Sequence, residues 1–196
     1  MRKFIVATKN KGKMKEIEEI LTGLPYEVVS MEEAGISQDI DEYGSTFEEN
    51  ALIKAREIAE ITGEMVMADD SGLEVDFLNG APGIYSARYA GEGASDSDRN
   101  NKLLNELKDV PFEKRTARFV CAIAVVFPEG ESFTVRGACE GYIGFEPRGN
   151  HGFGYDPLFF MPEYHRTVAE MSSEQKNQIS HRGNALRQML KKLKEL

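Results

Sequence analysis

Phe4-Ile5-Val6-Ala7-Thr8-Lys9-Asn10-Lys11-Gly12-Lys13 opens on four apolar residues and then breaks into a polar loop holding three lysines. From Met14 onward, apolar side chains recur at Ile17, Ile20, Leu21 and Leu24, the spacing of a helix that buries one face. The stretch reads as strand, loop, helix. Working outward, Thr46-Phe47-Glu48-Glu49 has the form of a capping box, with Thr46 accepting from an amide of the first turn and Glu49 reaching back. Ala51, Ala55, Ile58 and Ala59 form the apolar face of that second helix, and Gly63 is placed to end it. Residues 65–68 read as a strand ending at Asp69-Asp70-Ser71-Gly72, and Leu73-Glu74-Val75-Asp76-Phe77 alternates as another strand. Residues 79–93 are glycine-rich and read as a surface loop.

Residues 97–108 have helical character. Residues 118–127 and 132–141 read as the arms of a hairpin turning at Pro128-Glu129-Gly130-Glu131. A loop at 149–157 leads into a short strand at 158–161. Ser172 with Gln175 resembles a further capping box, Ser180 a further cap, and Leu186, Met189, Leu190 and Leu193 stripe a last helix. Strands interleaved with helices predict an α/β fold, and the hairpin makes its sheet mixed. No linker or repeat divides the 196 residues, so one domain over residues 1–196 is expected.

Composition narrows the function. No apolar run approaches the ~20 residues that cross a bilayer. The basic start Met1-Arg2-Lys3 precedes too short an apolar stretch for a secretory signal, so a cytoplasmic protein with no membrane partner is expected. A net charge of −9 argues against a broad footprint for polymeric nucleic acid, but allows a small anion held by a local cluster of donors. Cys121 and Cys139 flank the hairpin turn and fall almost opposite each other by counting, so a cross-strand disulfide is conceivable. Two buried, reduced thiols are the commoner outcome.

Five segments could carry chemistry. Thr8 to Lys13 lies between a strand and a helix N-terminus, where free amides and the helix dipole favour a phosphate; a solvated loop has the same composition. It is not a Walker loop. Asp69-Asp70-Ser71-Gly72 offers hard oxygens to Mg²⁺ and a base for water, or simply makes a turn. Asp39, Asp41, Glu42, Glu48 and Glu49 cluster before the second helix, where any of them could complete a metal site or simply face solvent. Gly152-Phe153-Gly154-Tyr155-Asp156-Pro157 could present a ring for base stacking or pack its aromatics into the core. Lys176 and Ser180-His181-Arg182-Gly183 place cations where the dipole of the last helix disfavours them, as an anionic partner would require.

In this order the segments closely resemble the Ham1-like family of inosine triphosphate pyrophosphatases. Carrying the resemblance are Ala7-Thr8-Lys9-Asn10-Lys11-Gly12-Lys13, Thr46-Phe47-Glu48-Glu49-Asn50-Ala51, Ala68-Asp69-Asp70-Ser71-Gly72-Leu73, Gly80-Ala81-Pro82-Gly83-Ile84-Tyr85-Ser86-Ala87-Arg88-Tyr89, Gly152-Phe153-Gly154-Tyr155-Asp156-Pro157 and Ser180-His181-Arg182-Gly183. The resemblance implies an elongated mixed β-sheet flanked by helices, with two lobes around a central cleft, usually as a homodimer. It implies Mg²⁺-dependent cleavage between the α- and β-phosphates of ITP, dITP and XTP, which removes deaminated purines from the nucleotide pool. By motif, Thr8, Lys9, Asn10, Lys11, Gly12 and Lys13 hold the triphosphate, and Asp70 is the general base and binds Mg²⁺ with Glu42. Ser71 contacts substrate, Phe153 stacks on the purine, and Gly154, Tyr155 and Asp156 complete that wall. Lys176, His181 and Arg182 line the phosphate and base ends. The family's first motif often has glycine where Lys9 stands, and the segment around Glu42 matches less closely than the rest. Donors such as Arg182 suit a 6-oxo purine, whereas an adenine amino group facing them costs ~1–3 kcal/mol. Guanine shares the 6-oxo group, so its rejection depends on the 2-position. A phosphatase releasing orthophosphate and a nucleotide sensor without turnover are the competing readings.

Overall fold

The first strand, β1 (Arg2–Val6), is followed by helix α1 (Lys11–Leu21), as the spacing of Met14 to Leu21 requires. The computed structural model describes residues 2–196, and Met1 of the basic start lies outside the described residues. Next come β2 (Tyr26–Ser30), α2 (Phe47–Thr62), β3 (Met65–Val75) and α3 (Asp96–Glu106). The long strands β4 (Thr116–Val126) and β5 (Ser132–Ile143) precede β6 (Phe159–Met161), β7 (Arg166–Thr167), α4 (Ser173–Ile179) and α5 (His181–Glu195). The sheet order is β2-β1-β3-β4-β5-β6-β7. β1 lies parallel to β2 and β3, whereas β6 is antiparallel to β5 and β7. The expected mixed α/β sheet is what forms.

Three readings change. The tetrad Asp69-Asp70-Ser71-Gly72 is not a strand end: β3 runs unbroken from Met65 to Val75. Its turn-forming residues are overridden by sheet pairing and by the cations described below. The strand β2, too short and polar-flanked to signal itself, was not expected. The stretch 79–93 is not one open loop but carries a 3₁₀ turn over Gly83–Arg88.

The described residues form two compact units. One comprises the residues up to Asp70, Cys121–Gly137 and Arg182–Leu196; the other comprises Ser71–Val120 and Ala138–His181. In the first unit, strand alternation sorts the core onto two faces. Phe4, Val6, Met65, Met67, Cys121 and Ile123 pack with Ile17 and Leu21 of α1 and Leu186 and Met189 of α5. Their neighbours Ile5, Ala7, Val66, Ala68 and Ala124 pack with Ala51, Ala55 and Ile58 of α2. The second unit has its own core, in which Leu73, Val75, Leu103, Phe119, Tyr155 and Phe159 meet. The cysteines belong to separate cores and both are free thiols, so no disulfide joins them.

Candidate active site

In the first unit the polar loop ends on a capped helix. The Asn10 side chain accepts from the Lys13 amide at 3.0 Å, which places Lys11, Gly12 and Lys13 in the first turn of α1. The three lysines then diverge. Lys9 is exposed and reaches Asp39 at 2.6 Å, and Lys11 is exposed, whereas Lys13 turns inward to Asp69 at 3.1 Å.

Alternation along β3 sends Asp69 and Asp70 to opposite faces, and each meets a different environment. Asp69 shares its face with α1 and α5. Its Oδ2 receives Lys13 and Arg182, the latter at 3.3 Å, and Arg182 also holds the buried Glu16 of α1. Burial works against charge on Asp69, yet Lys13, Arg182 and Lys54 outweigh it and hold the carboxyl well below its ordinary range. Asp70 faces α2. There burial and the nearby Glu42 push its carboxyl up to about 6, with Lys13 and Lys54 only partly offsetting them. Lys54 bridges the two carboxylate environments, ion-pairing with Glu42 and donating to the Asp69 carbonyl at 3.3 Å. Although burial disfavours its charge, Glu42, Asp69 and Asp70 keep the Lys54 ammonium above its ordinary value.

Asp70 Oδ2 and Asp69 Oδ1 are buried and have no hydrogen-bond partner among the described residues. No set of three or more His, Cys, Asp or Glu among those residues is arranged to hold a metal unaided. A hard cation that uses one or two carboxylates and takes its other oxygens from phosphate and water matches that donor set.

The second unit contains the remaining expected residues. Ser71 follows Asp70 on β3 and is half-buried. At the aromatic turn, Asp156 Oδ2 accepts from the Phe153 amide at 3.1 Å and from Lys176 Nζ at 2.6 Å. Lys176 Nζ lies 4.7 Å from the centre of the Phe153 ring. A Cβ at Gly152 would stand 2.1 Å from Asp156 Oδ2, so only glycine permits this closure. Tyr155 packs into the core behind the turn, its hydroxyl donating to the Ser86 carbonyl at 2.7 Å. His181 stacks on Phe119 at 4.8 Å and lines a small cavity with Phe119, Cys139, Lys176 and Ser180.

Thus the structure gathers Lys13, Glu42, Asp70 and Arg182 in one unit, and Phe153, Asp156, Lys176 and His181 in the other. Lys9 and Lys11 stand apart from the first group. Sequence reading missed Lys54 and Glu16. Both sit within a helix's inward stripe: Lys54 falls among Ala51, Ala55 and Ile58, and Glu16 beside Ile17. A charged residue at such a position needs a buried counter-charge, which is the signal that could have found them.

The Ham1 family model matches residues 4–192. The dITP/XTP pyrophosphatase of Bacillus subtilis (strain 168) is 52% identical over 193 residues, covering 98% of this chain and 98% of that one. That of Clostridium perfringens (strain 13 / Type A) is 54% identical over 99% of this chain and 98% of its own. Among solved structures, a HAM1 protein from Coxiella burnetii is similar with a TM-score of 0.91 and 43% identity, covering 100% of both chains.

Proposed function

This chain belongs to the Ham1 family, and on that premise we propose that it hydrolyses ITP, dITP and XTP to the nucleoside monophosphate and pyrophosphate. The observation that carries this reading is Asp70, a buried carboxylate with an open oxygen in a nest that also holds Lys13, Lys54 and Glu42. Asp70 and Glu42 would hold Mg²⁺, which would supply charge neutralisation for the phosphates and ease deprotonation of a water. Asp70 orients that water and takes its proton; the oxygen bonds to the α-phosphorus, and pyrophosphate leaves with the bridging oxygen.

Thr8 to Lys13 receive the triphosphate at the start of α1, where amides and dipole favour anions. Lys13 faces inward and serves the phosphates most directly, with Lys9 and Lys11 adding positive field from the rim. Ser71 contacts the substrate. Phe153 stacks on the base, backed by Gly154, Tyr155 and Asp156, and Lys176 and His181 supply donors beside it. Arg182 is committed to Glu16 and Asp69, so we assign it the task of fixing Asp69 rather than donating to the 6-oxo group.

The test is direct. Purified protein with Mg²⁺ is given ITP, XTP, dITP, ATP or GTP, and pyrophosphate and orthophosphate are measured separately. Pyrophosphate from the first three, with little from ATP, is expected; orthophosphate would move the cleavage site. Asp70→Asn is expected to lose most turnover and Phe153→Ala to raise KM for ITP. We expect the enzyme to act as a cytoplasmic homodimer, which sedimentation and cell fractionation check.

A further inference from the structure

The four-residue aromatic turn Phe153-Gly154-Tyr155-Asp156 lies outside the sheet ladder, and backbone takes part of its main chain: the Phe153 carbonyl accepts from the Asp156 amide at 3.2 Å and the Tyr155 carbonyl from the Leu158 amide at 2.9 Å. Side chains add to this: Asp156 accepts from the Phe153 amide within the turn, and the Tyr155 hydroxyl ties the turn to the Ser86 carbonyl outside it. The centre is held differently. Gly154 adopts φ +61 with open space around its Cβ position, so glycine is there for the left-handed angle and not for room. Its N–H donates to Asp96 Oδ2 at 2.9 Å, and its carbonyl accepts from Asn100 Nδ2 at 3.1 Å. Residues 96 and 100 are one turn apart on the same face of α3.

The side chains match their tasks by type. A carboxylate can accept the N–H, and only the amide of asparagine can donate to the carbonyl. Asp96 is also oriented from behind. Arg99 ion-pairs with it while donating to the carbonyls of Ala94 at 2.7 Å and Ala87 at 3.0 Å. A capping box between Ser95 and Asp98 fixes the start of α3, and Asn100 is buried.

We propose that Asp96 and Asn100 are positioning residues for base recognition, gripping Gly154 on both sides and thereby fixing the angle at which Phe153 meets the purine. This rests on the reading of Phe153 as the stacking wall. Stacking depends on ring offset and tilt, so a slack turn weakens base affinity and base discrimination while leaving the phosphate chemistry intact.

Four variants test it: Asp96→Ala, Asp96→Asn, Asn100→Ala and Phe153→Ala. Each is assayed for kcat and KM with ITP and GTP, and the Asn100→Ala/Phe153→Ala double variant completes a cycle. Expected for Asp96→Ala and Asn100→Ala is a roughly five- to tenfold rise in KM for ITP, as for one lost hydrogen bond, with kcat within about twofold and a reduced preference for ITP over GTP. Asp96→Asn keeps an acceptor for the Gly154 amide and should recover most of the loss. In the Phe153→Ala background Asn100→Ala should add almost nothing to KM, because the grip then has no ring to aim. Unchanged KM in both alanine variants, or a fall in kcat matched by loss of melting temperature with KM preserved, would overturn the grip while leaving the wall intact. Phe153→Ala without effect on KM would overturn the wall itself and the grip's purpose with it.

Discussion

Asp70 and Asp69 are adjacent in sequence, yet their protonation shifts in opposite directions. The Asp70 carboxyl is pushed up to about 6 from an ordinary value of 3.8, first by burial and then by Glu42. Between those two values the native state holds the proton more firmly than the unfolded chain, so stability falls as pH rises through the window, by at most about 3 kcal/mol. Metal-free Asp70→Asn should therefore melt above the wild type near pH 7.5, with the gap closing at roughly pH 4. Calorimetry in a chelator measures this, and a wild type that is the more stable at neutral pH would refute it. Asp69 behaves in the opposite sense: its depressed carboxyl adds stability at neutral pH that drains away as pH falls below its ordinary value of 3.8. The sequence marks both aspartates as chemical candidates. It does not tell them apart, because the difference arises from Lys13, Arg182, Glu42 and Lys54, which reach β3 from distant parts of the chain. Lys54→Met removes the cation beside Glu42 and should cut turnover by at least about tenfold in a steady-state assay.

At the scale of elements, local rules were legible where their chemistry is local. Thr46 accepts from the Glu49 amide as its position demands, and Gly63 ends α2 at φ +67. Glu49, however, reaches back to the amide and hydroxyl of Ser45, one residue beyond the expected box. The segment leading into α2 is fastened at two points on one helix face: Asn50 accepts from the Gly44 amide at 2.7 Å, and one turn later Lys54 holds Glu42. A Cβ at Gly44 would come within 2.7 Å of both Asn50 Oδ1 and Glu49 Cβ. Gly44→Ala should displace this segment and raise the Mg²⁺ concentration for half-maximal turnover severalfold, read from a metal titration. Gly63→Ala supplies the contrast: about 1 kcal/mol of lost stability with unchanged metal demand. The unbroken course of β3 through Asp69-Asp70-Ser71-Gly72 was illegible because those residue types favour turns. Only the surrounding cations and paired strands make a strand tolerable there.

For the whole molecule, composition and element order foretold a mixed α/β protein, while strand order and the residues that make up each of the two units had to come from the structure. The two thiols report on that division. Burial pushes Cys121 up to about 12 and Cys139 up to about 11, each in its own core. Native protein should resist alkylation near neutral pH and gain two labels in denaturant, counted by mass spectrometry; rapid native labelling of Cys121 would contradict its place in the first core. The two-faced character of β3 has a consequence for how the gene can change. Deleting one codon between Met65 and Asp69 would do more than shorten a strand. Each later side chain up to the DDSG tetrad would turn over, handing Asp70 to Lys13 and Arg182, moving Asp69 to the place of Ala68 and putting Ser71 where Asp70 stood. Substitutions in this stretch can be graded, but a single-residue insertion or deletion costs the site one of its two carboxylates, and natural variants should lengthen or shorten the flanking loops while keeping this count fixed.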